Sequence, residues 1–195
     1  MVNYLKNMIL GPKKLLQLVK KIKLVENLDQ RELTTPEGAG FDLRLGELYR
    51  LDGGKAFLGE YERETPKIKL VATYVKRPSR IGKGKAKNIY IVKPGEYYLA
   101  TTIEKVNTPL DMTINFKPRT TTFRCGLFLR TGNVAPGYCG KLTFAIKNEG
   151  PIPVTLEMGC RIVHAQFEWV DGGGRQYKGQ WQGGRVTTRK REKQI

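Results

Sequence analysis

The first regular pattern of apolar and polar positions lies in residues 12–22 and has the spacing of an α-helix. Pro12 stands where proline is tolerated in a first helical turn, and lysines lie between the apolar residues. The apolar stripe consists of Leu15, Leu18, Val19 and Ile22. This pattern predicts a short amphipathic helix with one face on a core, and a membrane-binding or partner-binding helix is the less common alternative.

After Asp29 the pattern changes to short apolar segments separated by glycine and proline. The turn signals are Asp52-Gly53-Gly54, Pro94-Gly95, Pro136-Gly137, Glu149-Gly150-Pro151 and Gly172-Gly173-Gly174. The strand-like segments between them are 89–92, 97–100, 141–146, 154–156 and 161–167. Many short strands and one early helix predict a single all-β domain over residues 1–195, built as a sandwich or jelly roll.

Length and composition narrow the class of protein. A chain of 195 residues can bury a core without disulfides or metals. It has no apolar run near the ~18 residues that span a bilayer, and its first residues lack the layout of a secretory signal. Three widely spaced cysteines and a single histidine, His164, favour a reducing compartment and exclude a multi-histidine metal centre. We therefore expect no membrane association, and a location in the cytoplasm or in a particle assembled inside the cell.

The net charge is the unusual bulk property of the chain. Lysine and arginine number 35 against 18 acidic residues, which gives +17, whereas good solubility needs only about 2–8 charges. The excess favours a polyanionic partner, either nucleic acid or an acidic protein surface. It is concentrated in a basic loop at 76–87 and in the tail after Gly184. The candidate polyanion-binding residues are Lys76, Arg77, Arg80, Lys83, Lys85, Lys87, Arg189 and Arg191. A mobile, solvated surface is the alternative.

Four short segments occur in a fixed order along the chain: 39–43 (Ala-Gly-Phe-Asp-Leu), 117–121, 136–140 and 177–183. In this order they resemble motifs of the dUTPase and dCTP deaminase superfamily. The resemblance implies a distorted jelly roll of the dUTPase-like β-clip type with a short N-terminal helix. It also implies a homotrimer that binds a deoxynucleoside triphosphate between subunits, with Mg²⁺ as cofactor if a triphosphate is bound.

The same resemblance assigns roles to individual residues. The aspartate of the first motif helps to organise the triphosphate, the second resembles an Arg-Ser-Ser phosphate motif, and residues 172–195 resemble a C-terminal lid and basic tail. The implied nucleotide- and phosphate-binding residues are Asp42, Arg119, Thr120, Thr121, Arg124, Tyr177 and Gln182. Hydroxyls and guanidinium groups can donate to phosphate oxygens, although ion pairs between subunits are an alternative role for the arginines. His164 replaces a frequent glutamine and is expected to be structural.

The resemblance fails at the residues that carry the chemistry of the family. Ala135 stands where the dUTPase pattern has an aspartate that activates water. Ala145 stands where the deaminase branch has a glutamate, three residues before Asn148. A methyl group can neither orient nor deprotonate water, so general-base help worth about 10²–10⁴-fold in rate is missing. We therefore predict no catalytic residue in this chain.

Three functions stay open at this point. The protein is a catalytically inactive homotrimer that serves as a binding or assembly protein with affinity for polyanions. Alternatively, it is an active dUTP diphosphatase or dCTP deaminase that uses a substitute residue, or it is a deoxynucleotide sensor without turnover. The two alanines favour the first and third functions, and the large positive charge favours the first.

Overall fold

The structure is a computed structural model that describes residues 8–76 and 89–194. Within these ranges the chain consists mainly of antiparallel strands. The helices are α1 (Pro12–Ile22), α2 (Gln30–Thr34) and α3 (Thr120–Arg124). The strands are β1 (Val25–Glu26), β2 (Phe41–Leu51), β3 (Phe57–Leu58), β4 (Glu62–Glu64), β5 (Ile68–Thr73), β6 (Ile89–Val92), β7 (Tyr97–Asn107), β8 (Met112–Pro118), β9 (Leu127–Arg130), β10 (Cys139–Asn148), β11 (Val154–Glu157), β12 (Arg161–Trp169) and β13 (Glu192–Lys193).

The helix α1 covers the stretch for which the apolar spacing predicts a helix. Pro12 occupies its first turn, and Lys20 and Lys21 lie in its last turn, where positive charge complements the helix dipole. Leu15 is fully buried. The helix ends at Lys23, which adopts a left-handed conformation and donates its N–H to the carbonyls of Leu18 and Val19. In the described part of the chain, no helix is long and apolar enough to cross a bilayer.

The strands form one large antiparallel sheet and two small ones. The large sheet has the order β8-β12-β2-β7-β10-β9, with β5 also paired to β2 and β1 to β7. The small sheets are β11-β6 and β13-β4-β3. The architecture is an all-β distorted jelly roll with a short N-terminal helix, which confirms the fold class predicted from the sequence.

The core lies between the long strands, where apolar residues alternate with partly exposed ones. Phe41 and Phe167 are both fully buried and meet edge to face, with ring centroids 5.9 Å apart. Gly46 lies at an irregularity in the pairing of β2 with β7, and a Cβ there would approach the Thr102 carbonyl to 2.8 Å. The motif at 42–46 therefore ends in glycine because two strands approach closely at this bend.

Candidate functional site

Asp42 is the centre of a charged cluster between β2 and β12. Its side chain is almost buried, and one carboxylate oxygen, Oδ2, accepts from Arg119 Nε at 3.0 Å and from Arg161 Nη1 at 3.1 Å. The other oxygen, Oδ1, lies 3.0 Å from Nδ1 of His164, which stands opposite Asp42 in the strand pairing. One carboxylate therefore holds three cationic side chains in place.

The pKa values in this cluster shift in opposite directions. Burial on its own would raise the pKa of Asp42, but the hydrogen bond with His164 and the positive charge of Arg119 outweigh it and lower that pKa. The same hydrogen bond is the largest cause of a raised pKa at His164, and burial opposes it. Asp42 is thus held ionised, and His164 is favoured in its protonated form.

The cluster does not fit a protein-bound Mg²⁺. Both oxygens of Asp42 already face cationic groups, whereas Mg²⁺ needs anionic or neutral oxygen ligands. Across residues 8–76 and 89–194, no group of three or more acidic, histidine or cysteine side chains could hold a metal ion. The Mg²⁺ role implied for Asp42 is therefore not matched by its surroundings, and Asp42 acts here as a counter-ion for two arginines.

The phosphate-motif residues lie on and just before α3. Thr122 is buried and its hydroxyl donates to the carbonyl of Ile162, which fixes α3 against β12. Thr120, Thr121 and Arg124 are exposed. Arg119 and Thr121 line a groove of about 450 Å³ beside Arg161. The hydroxyls and guanidinium groups in this groove can bind an anion, although Arg119 also serves Asp42.

Ala135 lies in a second cavity of about 550 Å³, next to Tyr138 and under the C-terminal segment. Apolar and aromatic side chains dominate its wall, and no aspartate, glutamate or histidine lines it. The lining residues are Leu51, Thr65, Pro66, Tyr97, Leu99, Phe116, Gly132, Asn133, Val134, Ala135, Tyr138, Leu142, Thr143, Phe144, Tyr177, Trp181, Arg185 and Val186. Burial raises the pKa of Tyr138 to about 12, so this hydroxyl stays protonated at neutral pH.

Ala145 lies on β10 close to the same cavity. It is half-exposed and pairs across the sheet with Leu99, which lines the cavity, and with Arg130. Its strand neighbour Thr143 also lines the cavity. A longer acidic side chain at position 145 would start from this face of the sheet.

The C-terminal segment folds back onto its own chain and forms one wall of the cavity. The ring of Tyr177 packs edge to face on Tyr138, with centroids 5.5 Å apart. The Gln182 carboxamide donates to the Gly137 carbonyl and accepts from the Cys139 N–H, both at 3.1 Å. The two lid residues implied by the resemblance therefore contact the chain's own Gly-Tyr-Cys turn.

Beyond this point the C-terminal segment is fastened to β4 by stacking and ion pairs. The guanidinium carbons of Arg63 and Arg185 lie 4.4 and 5.0 Å from the ring centre of Trp181. Gln180, in place of the lysine common in the deaminase branch, accepts a hydrogen bond from Arg63. Arg185 also pairs with Glu192.

The basic tail, residues 185–194, packs on the domain and is not simply a solvated charge run. Arg191 pairs with Glu62 at 2.7 Å and lies over the ring of Phe57, and the tail ends in β13. Arg189 and Lys76 are exposed. The predicted polyanion-binding residues Arg77, Arg80, Lys83, Lys85 and Lys87 lie outside the described residues.

The predicted site residues thus fall into two separate sets within one chain. Asp42, Arg119 and Thr121 belong to the charged cluster and its groove, whereas Ala135 and Tyr177 line the aromatic cavity. The sequence reasoning missed Arg161 as the second arginine on Asp42, and it missed the stack of Trp181 with Arg63 and Arg185. Both depend on strand register and on long-range packing, for which the local sequence carries no signal.

The comparisons with known proteins agree with this architecture. A family model described as dCTP deaminase-like matches residues 9–170, and the chain therefore belongs to the dCTP deaminase-like family. The chain is 31% identical to a probable deoxyuridine 5'-triphosphate nucleotidohydrolase of Methanothermobacter thermautotrophicus over 166 residues, which is 85% of this chain and 96% of that protein. It is 29% identical over 164 residues to a dUMP-forming dCTP deaminase of Dictyoglomus turgidum, covering 82% of this chain and 79% of that one.

A solved structure shares the fold. The crystal structure of 2'-deoxycytidine 5'-triphosphate deaminase from Agrobacterium tumefaciens superimposes with a TM-score of 0.62 at 17% identity. The match covers 84% of this chain but only 48% of that one, so this chain spans about half the length of that protein. At this identity the likeness shows the fold alone.

Proposed function

We propose that this protein is a homotrimeric dUTPase/dCTP deaminase-like protein that has lost the catalytic step and acts as a binding or assembly protein with affinity for polyanions. The observation that carries the proposal is the cavity beside Ala135, whose wall contains no carboxylate and no imidazole. Proton transfer at neutral pH needs a group that titrates near that pH. The tyrosines and the arginine of this cavity do not supply one.

The homotrimer is supported by the separation of the two sets of residues. A phosphate group in the Arg119 groove and a ring in the Ala135 cavity would occupy different surfaces of one chain. A neighbouring copy that brings its groove to the cavity of the first would complete a nucleotide site. Light scattering should therefore give three times the chain mass, and a monomer at micromolar concentration contradicts this part of the proposal.

The polyanion affinity is supported by the net charge of +17 and by exposed cations such as Lys76 and Arg189. A trimer would multiply these contacts on one particle. Binding should ignore base sequence and weaken with salt, because backbone phosphates are the partner. Neutralising Lys83, Lys85 and Lys87 together should flatten the salt dependence. Absence of binding to nucleic acid at low salt would leave an acidic protein surface as the partner.

A turnover assay with dUTP and dCTP in the presence of Mg²⁺ tests the loss of catalysis. The names of the two relatives describe active enzymes, so the alternative is a dUTP diphosphatase or dCTP deaminase. We expect neither pyrophosphate nor ammonia release above a blank. Robust release of either product would overturn the proposal and would require another carboxylate to have taken over.

The preserved cavity favours a second candidate, a deoxynucleotide sensor without turnover. A volume of about 550 Å³ lined by Tyr138, Tyr177 and Trp181 suits a planar ring. In a live site, titration of dUTP or dCTP should show weaker binding to Arg119→Ala than to the wild type. Loss of one charged hydrogen bond to phosphate costs about 1.5–3 kcal/mol. Equal affinities would show that the motif no longer binds phosphate.

A further inference from the structure

The segment 176–184, here called the strap, runs along the residues 136–139, here called the turn edge. Tyr177 N donates to the Pro136 carbonyl and Gly183 N donates to the Cys139 carbonyl, both at 2.8 Å. These two bonds fix both ends of the strap to the turn edge. The outward polar groups of the turn edge are therefore satisfied by the chain itself.

Between these ends, one side chain satisfies two backbone groups at once. The Oε1 of Gln182 accepts from the Cys139 N–H and its Nε2 donates to the Gly137 carbonyl, both at 3.1 Å. Gln176 adds a second donor to the Gly137 carbonyl at 2.7 Å. A primary amide presents its acceptor and its donor side by side in one plane, and the turn edge presents the complementary pair.

The backbones also approach closely at the C-terminal end of the strap. A Cβ on Gly140, which has φ of +145°, would lie 2.5 Å from the Gly184 N, and one on Gly184 would lie 2.9 Å from the Lys141 N. Both positions therefore need glycine. The sequence Gln-Gly-Gly at 182–184 places the amide and permits the close approach in the same three residues.

We propose that the strap is a self-occupying lid, in which the Gln182 amide takes the hydrogen bonds that a ligand ring would make with Gly137 and Cys139. The ligand class is a planar heterocycle with an adjacent hydrogen-bond donor and acceptor, as in a cyclic amide or amidine. Such a ring matches the same backbone pair and must displace Gln182 to reach it. The closed strap therefore inhibits binding.

The structure gives the strap both a releasable part and an anchor. Gln182 is exposed and its bonds are between neutral groups, which are individually weak. The anchor is the stack of Trp181 with Arg63 and Arg185, together with the bond from Thr188 N to the Thr65 hydroxyl at 2.8 Å. The apparent affinity of the ligand is its intrinsic affinity multiplied by the fraction of molecules whose turn edge is free.

The first test needs no ligand and follows the exchange of the Cys139 backbone amide in full-length protein. In Gln182→Ala the protection of this amide should fall about tenfold or more, because its acceptor is gone. The Gly137 amide donates to the Thr108 carbonyl at 3.0 Å and serves as the internal control. Gln194→Ala is the matched variant, since Gln194 Nε2 also donates to a backbone carbonyl, that of Gly59 at 2.6 Å. Unchanged Cys139 protection in Gln182→Ala would overturn the proposal.

The second test measures binding of deoxyuridine and deoxycytidine, with deoxyribose 5-phosphate as the ring-free control. Gln182→Ala should bind one of the nucleosides about tenfold more tightly than wild type, and the ring-free control should bind both proteins equally. Gln182→Glu keeps an acceptor for Cys139 but places an oxygen against the Gly137 carbonyl, so it should also bind more tightly. Weaker or equal binding by both variants, or no nucleoside binding at all, would contradict self-occupancy.

The inference goes beyond the proposed function and can fail separately from it. Amide exchange at Cys139 reports the strap whether or not the protein turns over a nucleotide or forms a trimer. An active enzyme with a protected Cys139 amide would overturn the proposed function only. An inactive protein whose Cys139 amide ignores Gln182 would overturn the strap only.

Discussion

The Asp42 cluster and the Ala135 cavity belong to the same site in the resemblance, but they differ in charge. In the cluster, one carboxylate is surrounded by Arg119, Arg161 and His164, and each contact is within 3.1 Å. In the cavity, the positions of two expected carboxylates hold methyl groups, and Arg185 is the one charged lining residue.

The difference separates two kinds of charge. A buried ion pair that loses one partner destabilises the fold, so the charges around Asp42 are tied to stability as well as to function. A carboxylate that only moves protons contributes nothing to packing and can be replaced by a methyl group without loss of the fold. The chain has the first kind and lacks the second.

Restoring the missing carboxylates should have the largest effect. We expect Ala135→Asp with Ala145→Glu to raise the rate of pyrophosphate or ammonia release by about 10²–10⁴-fold over wild type, because a general base is supplied beside the cavity. The assay is product release from dUTP and dCTP with Mg²⁺. Ala135→Asn with Ala145→Gln is the control of equal shape and should stay inactive. A doubly restored variant without turnover would show that the cavity no longer places a nucleotide for reaction.

Removing the central charge of the cluster should cost stability. Asp42→Asn leaves Arg119, Arg161 and His164 without their counter-ion, and we expect a loss of about 2–3 kcal/mol in the free energy of unfolding. Urea denaturation measures it. Asp52→Asn is the control, because Asp52 pairs with Arg50 on the surface with both side chains about half exposed. That variant should change stability by less than about 0.5 kcal/mol, and an equal loss in both would mean that Asp42 is no hub.

The pH dependence of stability should reflect both partners of the Asp42–His164 pair. The pKa of His164 is raised, so its contribution is complete below its ordinary value of 6.5 and is lost as pH rises through the higher folded value. The pKa of Asp42 is lowered, so its contribution is complete above 3.8 and is lost as pH falls through the lower folded value. The pair therefore stabilises most between these two ordinary values.

Thermal melting between pH 6 and 9 tests the alkaline side of this window, a range chosen around the ordinary histidine pKa of about 6.5. The wild-type melting temperature should fall more steeply with pH than that of His164→Gln, which places the residue frequent in the family at this position. Parallel curves for the two proteins would show that His164 is not protonated in the folded state.

The smallest expected effect concerns two arginines of the basic tail. Arg189 is exposed, whereas Arg191 pairs with Glu62 and stacks on Phe57. Arg189→Gln should lower the log–log salt slope of duplex DNA binding by about 0.9 if it contacts one phosphate. Arg191→Gln should lower it less. A larger effect at Arg191 would mean that its ion pair opens on binding.

Much of the fold followed from local patterns. The spacing of Leu15, Leu18 and Val19 predicts α1 with the bounds that the structure has, and glycine and proline mark the turns between strands. The motif order predicts the family, and the family model confirms it. These signals are local, or they are fixed by short segments whose residues need not be placed in space.

The arrangement of the site could not be predicted in the same way. Arg161 reaches Asp42 only because the register of β12 against β2 brings them together across 119 residues of chain. The predicted solvated tail instead packs on β4, since Glu192 and Arg191 find partners there. Such partners depend on distant segments, so no window of the sequence contains them.

The bond between Thr65 and Thr188 joins residues that are 123 positions apart. Contacts of such high sequence separation form late in folding, because the entropy of closing a long loop must be overcome first. The wall of the cavity that carries Trp181 and Arg185 should therefore be assembled after the long strands have paired. In refolding experiments, tryptophan fluorescence from this wall would lag behind the formation of strand structure, and the same wall would be the first to open under mild denaturant.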